Sequence, residues 1–319
     1  MHPKISVILP AYNTEKYIEQ AIQSVLDQTE KDFEIIVVED GSSDNTSQIV
    51  KELSDNRIHL LENEVNRGLR YSLNRGLRAA SGEWIALLDS DDWYSSPERL
   101  EALLSVALDQ GADLVADDQY FIQDGQQEPL GRLFASGEPF NAPKQMDACA
   151  LIESNLKPAS QSPHYGLIKA LIKRSFLTEN QVQYHESLWH SGDLHFYLLC
   201  LIRGARLFII PEAYYCYRRY RSGASSTQKS RFERVAQFHQ LCLLLMEEEN
   251  VKENPTLLEA LSRYKAKTKS DMDYVRAVEF LKSKDSLKAS AQKLLSDPWL
   301  FLTLISQAPR IVSNRFSHR

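Results

Sequence analysis

The chain has 319 residues, 43% of them hydrophobic and 25% charged, with a net charge of −6 at pH 7. The length predicts two domains, or one α/β domain with an appendage, and the apolar share is ample for a core. The acidic balance argues against nucleic acid as a partner, and the chain shows neither the opening run of a signal peptide nor the roughly 18 apolar residues of a membrane span.

Short apolar runs in the first part of the chain are predicted β-strands: Ile5–Leu9, Glu34–Val38, Ile58–Leu61 and Trp84–Leu88. Each is continuous and rich in β-branched residues or leucine, as strands buried on both faces are. Helical periodicity follows the first three, beginning near Tyr17, Ile49 and Leu69. This alternation of strand and helix predicts an α/β fold with a doubly wound, mainly parallel, Rossmann-like sheet flanked by helices.

Unusual polar or turn-forming segments follow three of these strands. They are Pro10-Ala11-Tyr12, Glu39-Asp40 and Asp89-Ser90-Asp91. In open α/β sheets, ligands bind outside the carboxyl ends of the strands. We therefore expect all three segments to lie on one edge of the sheet and to form its binding site.

The strand from Trp84 to Leu88 runs directly into three carboxylates, those of Asp89, Asp91 and Asp92. Carboxylates at this density repel one another and are costly to desolvate. A divalent cation removes both problems, and hard oxygen ligands suit Mg²⁺ or Mn²⁺. The alternative is a solvated acidic turn before the helix that Ser96-Pro97-Glu98 introduces.

The second half begins after a strand-like stretch from Ala112 to Ile122, where a connection rich in Gly, Gln and Pro follows. We place the boundary between residues 1–122 and 123–227 there. After Thr227 the pattern becomes helical and charged, which predicts a helical C-terminal region over residues 228–319. The stretch that Asp193 begins is apolar nearly all round, which predicts a buried helix ending near Gly204.

Motifs in a fixed order carry a family resemblance. They are Val7–Asn13, Glu39–Asp44, Asn66-Arg67-Gly68 with Asn74-Arg75-Gly76, Leu88–Trp93, Tyr184–Glu186 with Gly192–Phe196, and Tyr217–Tyr220 with Gly223–Ser225. Together they resemble the inverting, family-two glycosyltransferases of the GT-A fold. The resemblance covers about residues 4 to 227, and it implies transfer of a sugar from a nucleotide diphosphate donor.

The resemblance implies donor-binding roles for the segments at the sheet edge. Tyr12 would stack on the base, Glu39 would accept the imide hydrogen of uracil, and Arg67 would contact the diphosphate. Asp91 would bind the metal, and Asp89 would contact the ribose or reach the metal through water. The implied donor-binding residues are Pro10, Ala11, Tyr12, Glu39, Asp40, Arg67, Asp89, Ser90, Asp91 and Arg218.

These residues also have simpler interpretations that the sequence leaves open. Tyr12 could be a packing residue of a strand-to-helix turn. The segment that begins with Asp40 could serve only as a turn before a helix. Arg67 lies in a series with Arg70, Arg75 and Arg78 that could be a solvated basic helix face.

The resemblance implies that Asp193 is the general base, aimed at the acceptor hydroxyl that attacks the anomeric carbon. The alternative is that Asp193 only caps its helix. Glu186 and Trp189 would contact the acceptor, with Trp189 stacking on a sugar face, although Trp189 could equally pack in the core.

The chain departs from the family pattern at three of these positions. Glu39 stands where relatives usually have Asp, Gly192 where they usually have Glu, and Tyr220 where many have His. The loss at Gly192 removes a second acidic contact to the acceptor, and the loss at Tyr220 leaves the Asp89–Asp91 pair as the expected protein ligands of the metal.

The C-terminal region and the cysteines indicate where in the cell we expect the protein to be. Trp299–Leu302, Leu304-Ile305 and arginines at 310, 315 and 319 could contact an anionic membrane surface, or could pack on the protein or on a second subunit. The scattered cysteines, at 149, 200, 216 and 242, are expected to be buried thiols. We expect a cytoplasmic protein, with peripheral contact at the inner face of the membrane or homodimerisation through the C-terminal helices as options.

The sequence thus predicts an inverting glycosyltransferase that uses Mn²⁺ or Mg²⁺ and a nucleotide diphosphate-sugar, with a UDP-sugar favoured. The acceptor would be a glycan, a glycolipid or other lipid-linked sugar, or a glycoprotein, in the synthesis of surface polysaccharide or glycoconjugates. Two alternatives remain: a nucleotidyltransferase that forms nucleotide-sugars, and a non-catalytic glycan-binding protein on the same fold.

Overall fold

A computed structural model describes residues 2–137, 139–158, 161–220, 230–283, 294 and 297–316 of the chain. The strands of its central sheet are β1 (Ile5–Ala11), β2 (Phe33–Glu39), β3 (Ile58–Glu62), β4 (Trp84–Leu87), β5 (Trp93–Tyr94), β6 (Leu114–Gln123), β7 (Pro129–Arg132), β8 (Lys144–Met146), β9 (Leu171–Lys173) and β10 (Leu207–Arg219).

The helices lie on both faces of this sheet and in the C-terminal region. They are α1 (Ile18–Leu26), α2 (Thr46–Glu52), α3 (Leu69–Ala79), α4 (Arg99–Gln110), α5 (Ala148–Leu156), α6 (Arg174–Glu179), α7 (Gly192–Ile202), α8 (Arg231–Leu245), α9 (Glu249–Lys252), α10 (Pro255–Lys282) and α11 (Pro298–Phe316).

The strand order in the sheet is β3-β2-β1-β4-β9-β6-β10-β5, with β7 beside β6 and β8 beside β10. Strand β1 pairs in parallel with β2 and β4, β2 with β3, and β6 with β10. The short strand β9 runs antiparallel to both of its neighbours, β4 and β6. The mainly parallel sheet is confirmed, whereas β9 was not predicted.

Strand β1 shows why the apolar runs form this sheet. All seven of its residues are buried. Val7 and Leu9 pack in one hydrophobic cluster with residues of α1 and α4, while Ile8 packs in a second cluster on the other face with residues of α3 and α7. Because both faces are covered, the strand needs a continuous apolar sequence instead of an alternating one.

The C-terminal helices pack on the body of the protein. In α10, Leu257, Leu261 and Tyr264 join the same hydrophobic cluster as α7. Helix α11 packs against α10 through Leu300 and through an ion pair of Arg310 with Asp271 at 2.7 Å. Packing is therefore confirmed for this helix, although Phe301, Leu302 and Ile305 stay more than half exposed. Of the arginines predicted there, Arg319 lies outside the described residues.

Neither membrane spans nor disulfides appear in the part of the chain that the structure describes. None of its helices has the length and apolarity needed to cross a bilayer. The cysteines are free thiols, with Cys200, Cys216 and Cys242 buried and Cys149 partly buried. The prediction of buried, unpaired thiols is confirmed for three of the four.

Candidate active site

The acidic loop after β4 is tied to β10 through Asp92. The Asp92 side chain is 2% exposed and accepts hydrogen bonds from the Tyr215 hydroxyl and the Arg218 backbone N–H, both at 2.7 Å. Burial, and then the charges of Asp91 and Asp89, raise the pKa of Asp92 well above its usual value. Asp92 therefore positions Asp89 and Asp91 and does not itself face the site.

Asp91 lies beside the end of β10. Its Oδ2 accepts a hydrogen bond from the Tyr220 hydroxyl at 2.8 Å. Burial, and next the charge of Asp89, raise the pKa of Asp91 despite this hydrogen bond. Tyr220, which replaces the histidine of many relatives, thus contacts the carboxylate from which a metal would be bound.

Arg218 holds the acidic loop, β10 and α1 together. Its Nε donates to the Asp91 carbonyl oxygen at 2.7 Å, and its Nη2 donates to Gln20 Oε1 at 2.8 Å. The guanidinium lies over the rings of Tyr17 and Trp93, 4.5 and 4.7 Å from their centroids. Arg218 therefore braces the acidic loop against α1.

Asp89 forms a buried ion pair with a residue that the sequence analysis missed. Lys169 Nζ lies 2.7 Å from Asp89 Oδ2, and the lysine side chain is 7% exposed. The antiparallel register pairs Ala86 with Leu171. Counting two residues forward from Ala86 and two residues back from Leu171 brings Lys169 beside Leu88, which is next to Asp89. The pairing of β4 with β9 thus brings this ammonium to the acidic loop.

The same ammonium also faces the predicted base. Lys169 Nζ lies 4.0 Å from Asp193 Oδ2. The segment that carries Lys169 is held by Tyr197 of α7, whose hydroxyl donates to the Ile168 carbonyl oxygen at 2.9 Å and accepts from the Ala170 N–H at 3.3 Å. Helix α7 therefore positions both Asp193 and Lys169.

Asp193 is the second residue of α7, and it pairs with Arg70 of α3. Arg70 Nη1 lies 2.6 Å from Asp193 Oδ1. The N-cap residue is Ser191, and no side chain caps the helix, so the alternative that Asp193 is the N-cap is wrong. Burial opposes ionisation of Asp193, but Arg70 and then Lys169 outweigh it and hold the pKa of this carboxyl below its usual value.

Glu39 and Asp40 lie at the carboxyl end of β2, and their side chains bind the backbone of neighbouring loops. Glu39 Oε1 accepts the Ser42 N–H at 2.6 Å. Asp40 Oδ1 accepts the Arg67 N–H at 2.9 Å, and its Oδ2 accepts the Gly68 N–H at 2.8 Å. Asp40 therefore fixes the loop that precedes α3.

The other residues of the predicted donor site differ in exposure. Pro10 and Ala11 are the buried last residues of β1, and Ser90 is buried in the acidic loop. Tyr12, the next residue after β1, is 43% exposed, as a stacking surface for a base requires. Arg67 is exposed and lies 4.6 Å above the Tyr71 ring.

On the acceptor side, Glu186 and Trp189 lie in the loop before α7. Glu186 is exposed, and Trp189 is partly buried with its ring 5.4 Å from that of His190. The Gly223–Ser225 motif, expected nearby after β10, lies outside the described residues.

The residues of the acidic loop fit a hard divalent cation. Asp89 and Asp91 supply carboxylate oxygens, the hard ligands that Mg²⁺ and Mn²⁺ prefer. Among the described residues, no group of three or more His, Cys, Asp or Glu side chains converges as a metal site. A metal here would therefore need oxygens from the donor, with Asp91 as its main protein ligand because Lys169 already neutralises Asp89.

Arg70 and Lys169 are the functional residues that the sequence analysis missed. Arg70 is 5% exposed, so the interpretation of a solvated basic face is wrong for this residue. Its spacing to the buried Leu73 and Asn74 is i, i+3, i+4, a signal that would have identified it as inward-facing. Lys169 is a lone charge within an otherwise apolar stretch, which is a weaker signal of a buried cation.

Known proteins match the chain in both sequence and structure. The profile of the family described as glycosyl transferase family 2 matches residues 6–157. The succinoglycan biosynthesis protein ExoO of Rhizobium meliloti (strain 1021) is 34% identical over 216 residues, which are 67% of this chain and 60% of ExoO. The chain thus spans less than two thirds of this relative.

Solved structures share the fold at lower identity. S. aureus TarS 1–349 in complex with UDP-GlcNAc superposes with a TM-score of 0.64 at 22% identity, covering 87% of this chain and 80% of TarS. Mannosyltransferase PcManGT from Pyrobaculum calidifontis, in complex with GDP-Man and Mn²⁺, gives 0.58 at 18% identity, covering 97% and 87%. With the sheet described above, these findings show that residues 6–157 form a glycosyl transferase family 2 domain and that the chain has the GT-A fold.

Proposed function

We propose that this protein is an inverting glycosyltransferase that moves a sugar from a UDP-sugar to a hydroxyl group of a glycan, lipid-linked or protein-borne acceptor. The observation that carries the proposal is the meeting of Asp89 and Asp193 on either side of Lys169, at the carboxyl edge of the sheet. One carboxylate belongs to the acidic loop of the donor side and the other to the helix of the acceptor side. A glycosyltransferase needs a donor-side group and an acceptor-side group that lie no further apart than the length of the sugar that is transferred.

In this proposal the acceptor hydroxyl transfers its proton to the Asp193 carboxylate as its oxygen bonds to the anomeric carbon. The bond from that carbon to the diphosphate breaks on the opposite face, and its electron pair leaves with UDP, which inverts the configuration. A bound Mn²⁺ or Mg²⁺ would act as a Lewis acid on the departing diphosphate. Asp91 would hold the ion, with Asp89 as a second or water-mediated contact.

The preference for UDP is supported by the exposed ring of Tyr12 and by Glu39 at the same sheet edge. Each oxygen of a carboxylate has further lone pairs, so Glu39 can accept the imide hydrogen of uracil while it binds the Gly41 and Ser42 N–H groups. TarS was solved with UDP-GlcNAc and PcManGT with GDP-Man, so the fold alone does not choose the base.

We propose further that residues 1–122 bind the donor, that residues 123–227 bind the acceptor through Glu186 and Trp189, and that residues 228–319 support the acceptor half. ExoO's role in succinoglycan synthesis supports a polysaccharide or glycoconjugate acceptor. Contact of the C-terminal helices with a membrane or a second copy stays a prediction, supported by the exposed Phe301 and Ile305.

A nucleotidyltransferase is the less favoured candidate. That chemistry uses a glycine-rich phosphate loop with a Lys or Arg after the first strand, and here β1 leads into Pro10-Ala11-Tyr12-Asn13, which contains no glycine.

A thermal-shift screen of nucleotide diphosphates and nucleotide-sugars, with and without Mn²⁺, tests the proposal, because ligands that bind the folded state raise Tm. We expect UDP with Mn²⁺ to give the largest shift and Asp91→Asn to abolish only its metal-dependent part. Equal shifts for purine and pyrimidine nucleotides would contradict the roles of Tyr12 and Glu39. UDP binding without any sugar transfer, across a panel of acceptors, would favour a non-catalytic glycan-binding protein.

A further inference from the structure

The contact between Arg70 and Gly192 is unusually close for a glycine position. A Cβ atom added to Gly192 would lie 2.3 Å from Arg70 Nε and 2.8 Å from Cζ, distances that no real side chain tolerates. The guanidinium therefore lies directly against the backbone of the first residue of α7. Gly192 is a glycine because Arg70 fills the space where a side chain would be.

Arg70 is held in this place by contacts with α7 and with the segment before it. Its Nε donates to the Leu188 carbonyl oxygen at 3.2 Å, and its Nη1 and Nη2 lie 2.6 and 3.5 Å from the two carboxylate oxygens of Asp193. The guanidinium also lies 5.3 Å above the Tyr184 ring. A planar fork held at this many points fixes the orientation of the carboxylate that it binds.

The second carboxylate oxygen of Asp193 is less engaged than the first. Oδ1 has its short bond to Arg70, while Oδ2 has only the longer contacts, 3.5 Å to Arg70 and 4.0 Å to Lys169. The side chain of Asp193 is 22% exposed, so part of it is accessible to a substrate. One oxygen is thus anchored and the other retains lone pairs for an incoming hydroxyl proton.

We propose that Arg70 is a positioning residue for the base. It anchors Asp193 through Oδ1 so that Oδ2 faces the acceptor, and Gly192 is required because it gives Arg70 its place. This inference rests on the proposed function, because it assigns Arg70 to the same reaction.

Charged and titratable groups from the surrounding elements face Asp193. They are Arg70 of α3, Lys169 before β9, His190 and Tyr184 of the segment before α7, and Tyr197 of α7 itself. Arg70 is the strongest of them in lowering the pKa of Asp193. In a variant without the Arg70 charge, mainly Lys169 opposes the effect of burial on the pKa of Asp193. That pKa therefore rises, and the acidic limb of the pH–rate profile moves to higher pH.

The test compares Arg70→Met, Arg70→Lys and Gly192→Ala with the wild type in kcat, donor KM and the pH dependence of kcat. We expect Arg70→Met to lower kcat by at least about tenfold, to leave the UDP-induced thermal shift unchanged and to move the acidic limb upward. Gly192→Ala should reproduce the loss of kcat by displacing Arg70. Arg70→Lys should return the acidic limb of the pH–rate profile to its wild-type position but should recover only part of kcat. Arg78→Met, an exposed arginine on the same helix, is the matched control.

A folded Arg70→Met protein with unchanged kcat and an unmoved acidic limb would overturn the inference. An Arg70→Met protein that is less stable but otherwise keeps the wild-type kcat and pH profile would overturn it too. If the wild type transfers no sugar from any nucleotide-sugar, the proposed function fails instead. The pair is then tested by following the Asp193 carboxylate with ¹³C NMR, where the same titration in wild type and Arg70→Met would also overturn it.

Discussion

Two arginine–aspartate pairs in this molecule, each with a buried arginine, differ in how accessible the carboxylate is to a substrate. In the interior, Arg99 of α4 pairs with Asp117 of β6 through two hydrogen bonds of 3.1 and 2.7 Å, and both side chains are 1% exposed or less. Asp117 also accepts the Tyr214 N–H at 3.1 Å. At the sheet edge, the Arg70–Asp193 pair has one short bond, and Asp193 is 22% exposed.

The comparison separates a structural pair from a candidate catalytic one. Arg99 also donates to the Lys169 carbonyl oxygen at 2.6 Å and lies 4.4 Å above the Tyr94 ring, so the interior pair joins several elements. A carboxylate whose oxygens are all engaged stabilises the fold and is unavailable to a substrate. A carboxylate that is anchored through one oxygen can be both oriented and reactive.

The largest expected effect is on stability, in the interior pair. Asp117→Asn leaves the Arg99 charge buried without its partner, and we expect a loss of about 3–5 kcal/mol in the free energy of unfolding. Chemical denaturation followed by circular dichroism measures it. The matched control is Asp55→Asn at the partly exposed pair with Arg57, where we expect about 0–1 kcal/mol. Equal losses at the two sites would break the distinction between buried and exposed pairs.

The next effect is on turnover, in the pair at the sheet edge. Asp193→Asn removes the proton acceptor, so we expect kcat to fall by at least ~10² while UDP binding changes little. Initial-rate kinetics and a UDP thermal shift measure the two parts. Unchanged turnover would show that Asp193 acts only within the fold, as Asp117 does.

A smaller, pH-dependent effect concerns His195, which lies two residues after Asp193 on α7. Burial lowers the pKa of His195 to about 4, and among the described residues its Nδ1 has no hydrogen-bond partner. An unfolded histidine titrates near 6.5, so as the pH falls the unfolded chain binds the proton first and the folded state loses stability.

We therefore expect the free energy of unfolding to drop by up to about 3 kcal/mol between pH 6.5 and about 4, and His195→Leu to remove this part of the drop. Urea denaturation at pH 7 and at pH 4.5 measures it, with His59→Gln, at an exposed site, as the control. A drop that persists undiminished in His195→Leu would mean that other groups carry it.

The sequence predicted the parts of the site that lie on strands followed by helices. The acidic loop could be identified from the run Trp84 to Leu88 and the three carboxylates that follow it. A strand buried on both faces needs continuous apolar residues, and clustered carboxylates repel one another unless a cation binds them. The helix that Asp193 begins could be located because that stretch is apolar nearly all round, whereas the role of Asp193 as base was implied by the family motif. Periodicity and charge are properties of a local stretch of chain, and they were sufficient to place the acidic loop and this helix.

The partners of these residues could not be predicted in the same way. Arg70 and Asp193 lie 123 positions apart. Lys169 comes beside Asp89 only through β9, a three-residue strand too short for a detectable pattern. Such contacts depend on which elements are neighbours in space, and one sequence without that information does not specify them.

The antiparallel pairing of β4 with β9 has a consequence for how this site could change. The side chains of adjacent residues in a strand point to opposite faces, so a shift of one residue would turn Lys169 away from Asp89 and bring a neighbouring apolar side chain in its place. Inserting or deleting one residue just before Leu171 would thus alter the charge at the acidic loop without replacing any of its amino acids. Hydrogen-bond alignment between two strands thus decides whether a positive charge lies beside the acidic loop.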